Sequence, residues 1–451
     1  MAHAPPRLVV TKSPSRGHLL RLLGVSFGVA VGVGEMIGSG ILRSPSVIAA
    51  SLHDSGAILA LWSLGALHAF LGANIMAELG TAVPRAGGAY VYAHRAYGDV
   101  GGLVVGWSIF ASHLAGVAAA SVVFADFLGL FWSPAAAHTA AVAIAVQLLL
   151  YSANAIGVRE GRAMQEATSL VKATLLIAFA VAALWLMPAN SPQTFAHFHL
   201  VPVGFVAFVG AYQLIKGAYS GWDASVYFAE ENVTPTKSIP RALFFGLALT
   251  AAIYVAVNAA LLHALGTDGT ASSGLPFAIV LNHVGGTLAS TLFVIGAMIT
   301  VTSCANANIM IAPRILFALS RDQLLPASLQ SVNEGGSPYF GFMLTAAISI
   351  ALAATGAFSL VFGLIGILTS VSGLLVGISF FVLRRREPDL PRPFRAFLVP
   401  WLPALLVGID GTLLVLFAAT DRRGAVFAAA LCLLCVPLGL MAQRARMRAP
   451  A

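Results

Sequence analysis

Long apolar stretches, separated by short segments rich in polar residues, glycine or proline, run through the whole chain. A helix needs about 20 mostly apolar residues to cross the hydrocarbon of a bilayer, and turn-forming residues mark where each stretch ends. The pattern predicts twelve spanning helices, at about residues 19–52, 56–80, 102–132, 135–157, 164–187, 203–230, 241–265, 285–317, 339–356, 359–383, 397–419 and 424–442.

The composition agrees with this pattern. Hydrophobic residues make up 59% of the 451 residues and charged residues only 9%, compared with about 25% charged residues in a typical soluble domain. The mean hydropathy is +0.89. These values exclude a water-soluble globular protein, and the short connections leave no room for a soluble domain. We predict an all-α integral membrane protein embedded in the lipid bilayer.

Basic residues are distributed unequally between the two ends of the predicted helices. Twenty of the 25 Lys and Arg residues fall on one side, including the run at 384–386. Because basic loops stay in the cytoplasm, the tails 1–18 and 443–451 are both predicted to be cytoplasmic, in a multi-pass protein of the inner cell membrane. The net charge of +8 then reflects orientation, and no nucleic-acid partner is predicted. The other five basic residues are Arg422 and Arg423 on the opposite side, and Arg43, Lys172 and Lys216 within spans.

The chain lacks the short motifs of common enzyme classes. It contains no GxxxxGK[ST], HExxH or GxSxG pattern. Its three cysteines, Cys304, Cys432 and Cys435, lie in apolar stretches without other Cys or His residues at metal-ligand spacing. We therefore predict neither an enzyme nor a bound metal or cofactor.

Two of the predicted helices carry glycine-rich polar interruptions near their midpoints. The first contains Gly38-Ser39-Gly40, and the sixth contains Gly217, Ser220 and Gly221. Glycine costs a helix about 1 kcal/mol relative to alanine, so both sites are predicted breaks. These helices open two halves of five spans, and because five is odd the second half enters from the opposite side. We predict a five-plus-five inverted repeat with discontinuous helices one and six, plus two C-terminal helices, with limits at 19–190, 200–383 and 397–442.

Breaks within the membrane leave backbone groups that need partners. Free N–H groups around Ser39 and Gly40, at the start of a half-helix, suit a carboxylate. Carbonyl groups near Ile37 and residues 218–220 suit an ammonium group. A site that combines both fits the zwitterionic part of an α-amino acid.

Six motifs, spread over nearly the whole chain, resemble those of one group of membrane proteins. They are IGSGIL with Pro45, AELGTAVPRAGGAYVYAHRAYG (77–98), NAIGVREGRAMQEATSLVK (154–172), AYSGWDASVYFAEE (218–231), PRILFALSRDQLLP (313–326) and RRREPDLPRPFR (384–395). The sequence resembles the amino acid-polyamine-organocation (APC) superfamily, and within it the L-type, light-chain-like permeases and their bacterial relatives. This resemblance implies alternating access, with an amino acid held between helices one, three, six, eight and ten.

The resemblance also implies which residues meet the substrate. By position they are Ile37, Gly38, Ser39, Gly40, Ala218, Tyr219, Ser220, Gly221, Trp222 and Asn306. Where the family has a bulky aromatic gate in helix six, this chain has Gly217. Either the gate is supplied elsewhere, with Tyr219 as a candidate, or the site admits a larger side chain. Glu78, at the end of helix two, is predicted to be a gate or a loop anchor.

Ionisable side chains within spans cost several kcal/mol unless they are paired or hydrated, so each is a functional candidate. The resemblance matches Lys172 to a lysine thought to take the place of a sodium ion, which either titrates during the cycle or stays charged. Glu35 and Lys216 flank the breaks. Three functions are open for them: they pair with each other, they bind a charged substrate side chain, or they carry protons. Asp223 is predicted to cap N–H groups of helix six, with proton coupling as the alternative, and His68 and His113 are assigned no function.

These observations predict a sodium-independent α-amino acid permease, with protons as the candidate coupling ion. Three alternatives stay open: an obligatory exchanger, a transporter of cationic amino acids or polyamines, and an amino acid sensor or channel on the same scaffold. Gly217 and apolar walls at Met36 and Ile37 favour a neutral, bulky side chain, whereas Glu35 leaves a cationic one open. The sequence leaves an accessory subunit undecided.

Overall fold

The computed structural model describes residues 21–156, 158–189, 204–272, 275–332, 338–354, 358–433 and 437; both predicted tails and Cys435 lie outside them. Within these residues the chain forms helices and no strand. The α-helices are α1 (Val25–Met36), α2 (Ser39–Leu52), α3 (Ser55–Ala82), α4 (Ala89–Tyr97), α5 (Asp99–Gly129), α6 (Ser133–Ala137), α7 (Thr139–Ile156), α8 (Val158–Leu186), α9 (Phe205–Ala218), α10 (Pro235–Ala271), α11 (Pro276–Arg321), α12 (Tyr339–Ala354), α13 (Phe358–Arg386), α14 (Trp401–Thr420) and α15 (Arg422–Leu433). Two short 3-10 helices cover Ala224–Glu231 and Ala327–Gln330.

Eight of the described helical stretches are long and apolar enough to cross a membrane. Three shorter apolar helices, Thr139–Asn154, Phe205–Ala218 and Tyr339–Ala354, coincide with the predicted fourth, sixth and ninth spans. Helix α15 begins the predicted twelfth span, most of whose remainder lies outside the described residues. The all-helical membrane class is thus confirmed, whereas the count of twelve crossings and the inverted repeat stay predictions.

Some helices differ from the predicted spans. Gly266 kinks α10 and the pair Gly285-Gly286 kinks α11, so the predicted eighth span begins at a kink inside a longer helix. The loop predicted after the second span contains α4, whose Tyr90 and Tyr92 side chains are buried. At nine residues α4 is too short to cross a membrane, which is why the apolar pattern did not reveal it.

Helix α5 lies in the interior, where it packs against α11 and α13, while α10 packs against α3 and α1. The second half of the interrupted first span, α2, packs against α9. Large apolar side chains cover much of the outer surface: Trp185 is 84% exposed and Trp401 77%. A soluble protein rarely exposes such side chains together, whereas lipid accommodates them.

Ion pairs cluster at the end of the molecule where α13 carries its three arginines. Glu231 accepts hydrogen bonds from Nε and Nη2 of Arg314, the second at 2.8 Å, and both side chains are buried. The neighbouring Glu230 pairs with Arg321 at 2.6 Å, but these side chains are each 25% exposed. A further pair joins Arg95 of α4 to Glu387, the residue after α13. The Arg95 guanidinium bonds the Glu387 carboxylate at 2.6 Å and holds the pKa of that carboxyl below its ordinary value.

Candidate functional site

The first membrane-spanning stretch is interrupted at Gly38. Helix α1 ends at Met36, Ile37 is extended with φ −74° and ψ 94°, and α2 begins at Ser39. The residue before α2 is Gly38, which has no side chain to cap the helix, so N–H groups at the start of α2 are left for other partners. The predicted break in helix one is confirmed.

The second interruption follows α9, which ends at Ala218. Residues 219–223 form turns, and a 3-10 helix follows from Ala224. Gly221 has a φ of +97°, a backbone conformation that residues with a side chain rarely adopt. The predicted break in helix six is confirmed, and Gly221 is the residue that permits its geometry.

The two interruptions touch. A Cβ atom added to Gly40 would lie 2.9 Å from Cα of Ala218, so only glycine allows this approach. The Tyr254 hydroxyl of α10 lies 2.5 Å from the Met36 carbonyl and 3.0 Å from the Ala218 carbonyl, and so links the ends of α1 and α9. Tyr254 was not among the predicted site residues, because a single tyrosine in an apolar stretch carries no distinguishing signal.

A small cavity of about 50 Å³ lies between the interruptions. Residues of both breaks line it, and α5 and α11 close its other side. Seven predicted residues are among those that line it: Glu35, Gly38, Ser39, Gly40, Gly217, Ala218 and Ser220. Ile37 is not; it is fully buried, and its carbonyl bonds to Lys172.

A larger cavity of about 120 Å³ adjoins the first and extends toward the arginine-bearing end of α13. The predicted residues that line it are Glu35, Lys216, Tyr219, Ser220, Gly221 and Trp222. Four residues line both cavities: Glu35, Ser112, His113 and Ser220. The structure thus brings most of the predicted substrate-binding residues around two adjoining cavities.

Lys172 lies at the first break. Its ammonium group is fully buried and donates to the carbonyls of Gly34 and of Ile37, the latter at 2.7 Å. Helices need their last carbonyls satisfied, and here a lysine from α8 supplies the donor. The Ile37 and Ala218 carbonyls, predicted from the sequence to suit a substrate ammonium, both accept protein hydrogen bonds, from Lys172 and Tyr254 respectively.

Glu35 and Lys216 do not bond each other, which corrects the interpretation of these residues as an ion pair. Glu35, in the last turn of α1, faces α5, where His113 Nδ1 lies 2.9 Å from its Oε1. Lys216, in the last turn of α9, pairs with Asp410 of α14, and His68 Nε2 lies 3.3 Å from the same carboxylate. The two side chains leave their helices toward different neighbours, and sequence spacing gave no information about those directions.

Asn306, predicted from the resemblance to contact substrate, is not among the residues that line either cavity. Its side chain accepts a hydrogen bond from Asn154 at 2.6 Å and donates to Gln165 at 2.8 Å, so it holds α11 against α7 and α8. Asn308 lines the small cavity instead. Residues two positions apart on a helix point in directions that differ by about 200°. Asn308 therefore faces the cavity, whereas Asn306 faces α7 and α8.

Glu78 and Asp223 make contacts other than gating or capping. Glu78 is buried, bonds Arg384 at 2.6 Å and accepts a hydrogen bond from the backbone N–H of Ala396 at 2.7 Å. Of the two functions predicted for it, gate or loop anchor, these contacts are those of a loop anchor. Asp223 makes no capping bond; its carboxylate accepts from the Tyr227 hydroxyl at 3.0 Å. Neither a gating nor a capping function is supported by these contacts.

Replacing Gly221 with alanine is expected to lower both transport and stability. The positive φ would cost about 1–2 kcal/mol, and the new Cβ would lie 2.4 Å from Cγ of Glu35. Uptake into proteoliposomes and thermal unfolding in detergent measure the two effects. Gly210→Ala in α9 is the matched control, since its Cβ would meet no atom within 4 Å; equal behaviour of both variants would contradict the importance of the Gly221 conformation.

The fold and the site together define a class: an integral membrane protein with a cavity between two interrupted spans, the arrangement of a solute carrier. Comparison with known proteins makes the family definite. The profile of the amino acid permease family matches residues 20–437, and the chain belongs to that family.

Curated relatives cover most of the chain. It is 27% identical to the branched-chain amino acid permease BcaP of Bacillus subtilis, over 86% of each chain. It is 25% identical to the serine/threonine exchanger SteT of the same species, over 86% of this chain and 89% of that one. It is 27% identical to the human large neutral amino acids transporter small subunit 2, over 84% of this chain and 72% of that one.

Proposed function

We propose that this chain is a secondary active transporter that moves an α-amino acid across the cell membrane by alternating access. The observation that carries the proposal is the small cavity enclosed by both helix interruptions, where the start of α2 offers N–H groups to a carboxylate. The cavity adjoining it toward the arginine-bearing end of α13 provides a path for the substrate. By the positive-inside rule that end is cytoplasmic, as are both termini.

Transport is proposed to be independent of sodium. The carbonyls of Gly34 and Ile37, which a metal cation would need as ligands at the break, already accept from the Lys172 ammonium. A sodium ion placed beside that ammonium would also be repelled by it. Lys172 thus supplies the positive charge of the break from within the protein.

Protons are the proposed coupling ion. Loss of the Lys172 proton would remove the charge that strengthens its bonds to the Gly34 and Ile37 carbonyls, and so would loosen the end of α1 that forms the site. Glu35 is the second candidate carrier, because it lines both cavities and can exchange protons with His113 beside it. Lys216, bonded to Asp410 at the edge of the larger cavity, is the third.

Obligatory exchange of amino acids is the second candidate. The two carbonyl bonds of Lys172 favour it, since a lysine that stays charged throughout the cycle would act as a fixed cation and leave no ion to couple. The serine/threonine exchanger SteT, one of the relatives, is named for this mode of transport.

Uptake of a panel of labelled amino acids into proteoliposomes tests these proposals. With an empty lumen and an inward proton gradient we expect accumulation that persists when choline replaces sodium. Accumulation only after preloading with amino acid would establish exchange instead. If sodium proved necessary, the function assigned to Lys172 would be wrong, and binding without flux under any condition would contradict transport itself.

A further inference from the structure

Glu35 and His113 form a buried pair at the junction of the two cavities. Glu35 is 8% exposed and His113 4%. The imidazole Nδ1 lies 2.9 Å from Oε1 of Glu35 and 2.9 Å from Oδ1 of Asn308. The Asn308 amide is oriented by its own Nδ2, which donates to the Cys304 carbonyl at 2.9 Å. Both neighbours of Nδ1 are therefore acceptors, so Nδ1 carries a hydrogen, and when the ring is neutral Nε2 is an acceptor.

Two buried acceptors at this junction have no hydrogen-bond partner within the described part of the chain. They are Oε2 of Glu35 and Nε2 of His113. Buried polar atoms are nearly always paired, because an unpaired one loses its hydration without compensation. A ligand that brings two or more N–H donors would satisfy both atoms.

Three neighbouring side-chain donors are already engaged. The Ser112 hydroxyl donates to the Ile109 carbonyl at 2.8 Å, and the Tyr227 hydroxyl donates to Asp223 at 3.0 Å. The Cys304 thiol donates to the backbone carbonyl of Glu35 at 3.2 Å. Each of these groups would have to break its present bond to reach the two acceptors. A ligand in the cavity could donate to them without breaking any of these bonds.

The charge of the junction matches a cation. Glu35 carries a full negative charge when ionised, and Nε2 of the imidazole beside it is an acceptor whenever that ring is neutral. The other carboxylates on the larger cavity have donors: Asp223 accepts from Tyr227, and Asp410 accepts from Lys216 and His68. Glu35 is thus the carboxylate whose second oxygen faces the site without a donor among the described residues.

We propose that Glu35 and His113 form the subsite for the substrate side chain, and that this side chain ends in a positively charged nitrogen, as in lysine, ornithine or arginine. The inference rests on the proposed function, because it places the substrate carboxylate at the start of α2. The subsite lines the same small cavity as Ser39 and Gly40, so one extended amino acid can occupy both. Gly221 leaves room for the Glu35 side chain, against which any Cβ would clash.

Matched pairs of substrates test the subsite. Lysine and norleucine share an aliphatic chain and differ in the terminal ammonium, while arginine and citrulline share their shape and differ in charge. Uptake into proteoliposomes preloaded with the same unlabelled amino acid detects net transport and exchange alike. For the wild-type protein we expect kcat/KM for lysine and arginine to exceed that of the neutral partner by tenfold or more.

The variant Glu35→Gln keeps the shape of the side chain and removes its charge. We expect it to lower the lysine-to-norleucine ratio by about tenfold to a hundredfold, the value of one charge-assisted hydrogen bond. Norleucine uptake should persist and shows that the variant is folded. Asp126→Asn removes the same charge from a carboxylate that pairs with Arg43 at 2.5 Å and is not among the cavity-lining residues, so the ratio should stay unchanged.

The outcomes separate this inference from the proposed function. Wild-type preference for norleucine, or a ratio that Glu35→Gln leaves unaltered, would overturn the subsite while amino acid transport stands. Uptake of other amino acids but none of these four would also overturn the subsite alone. If no amino acid were transported at all, the proposed function would fail and the subsite with it. The wild-type ratios decide the question even if Glu35→Gln does not fold.

Discussion

Replacing Lys172 with alanine is expected to lower amino acid uptake by about a hundredfold or more, because charge-assisted hydrogen bonds contribute about 1.5–3 kcal/mol each. The buried ammonium bonds the carbonyls of Gly34 and Ile37, where α1 ends and the small cavity begins. Without it these carbonyls lose their donor, and the end of α1 is no longer held in the conformation in which Ser39 and Gly40 line the proposed substrate site. Initial rates in proteoliposomes, with and without a proton gradient, measure the loss.

Lys237→Ala is the control for this variant, because Lys237 is an exposed lysine outside the predicted spans. It should transport at the wild-type rate. If Lys172→Ala retained uptake with unchanged proton dependence, Lys172 would be neither a carrier nor a fixed cation. Uptake restored to Lys172→Ala by sodium would instead support the proposed replacement of a metal cation by the lysine.

The largest effect on stability is expected from Glu231→Gln. Removing one partner of a buried ion pair leaves the other charge uncompensated, which costs about 3–5 kcal/mol. Arg314 would keep its contact with the Phe228 ring, whose centroid lies 4.4 Å from Cζ, but would lose its carboxylate. Titration with sodium dodecyl sulfate in maltoside micelles reports the change in the free energy of unfolding.

Glu230→Gln provides a closely matched control. The same chemical change is made one residue earlier, in a pair with Arg321 whose side chains are partly exposed. Partly exposed pairs are worth less than about 1 kcal/mol, so this variant should unfold close to the wild-type midpoint. If Glu231→Gln and Glu230→Gln lowered the free energy of unfolding equally, burial would not distinguish the two ion pairs.

The sequence was sufficient to predict the apolar helices and both interruptions, because these depend on local properties. A run of apolar residues has few alternatives to a buried helix, and clustered glycines weaken a helix wherever they occur. For the same reason the sequence alone could place Gly38, Ser39 and Gly40 at a break that lines a cavity. The bounds of α10 and α11 were less predictable, since their kinks at Gly266 and Gly285-Gly286 join apolar segments of similar composition.

The partners of charged and polar side chains could not be predicted, because they depend on how helices face one another. Because both residues flank a break, Lys216 was predicted to pair with Glu35. Its partner in the structure is Asp410, which is 194 residues away in the sequence. His113 carried no signal, and its importance follows only from its contact with Glu35. Asn306 and Asn308 differ only in which face of α11 they occupy, a distinction that needs the packing of α5, α7 and α8.

The Tyr254 hydroxyl, within reach of both the Met36 and Ala218 carbonyls, has a mechanical consequence. It links the ends of α1 and α9 to each other and to α10. The backbones of Gly40 and Ala218 are also in close contact, so there is little space between the two interruptions. Any displacement of one of the two broken helices at this point would therefore also strain its contact with the other and with α10.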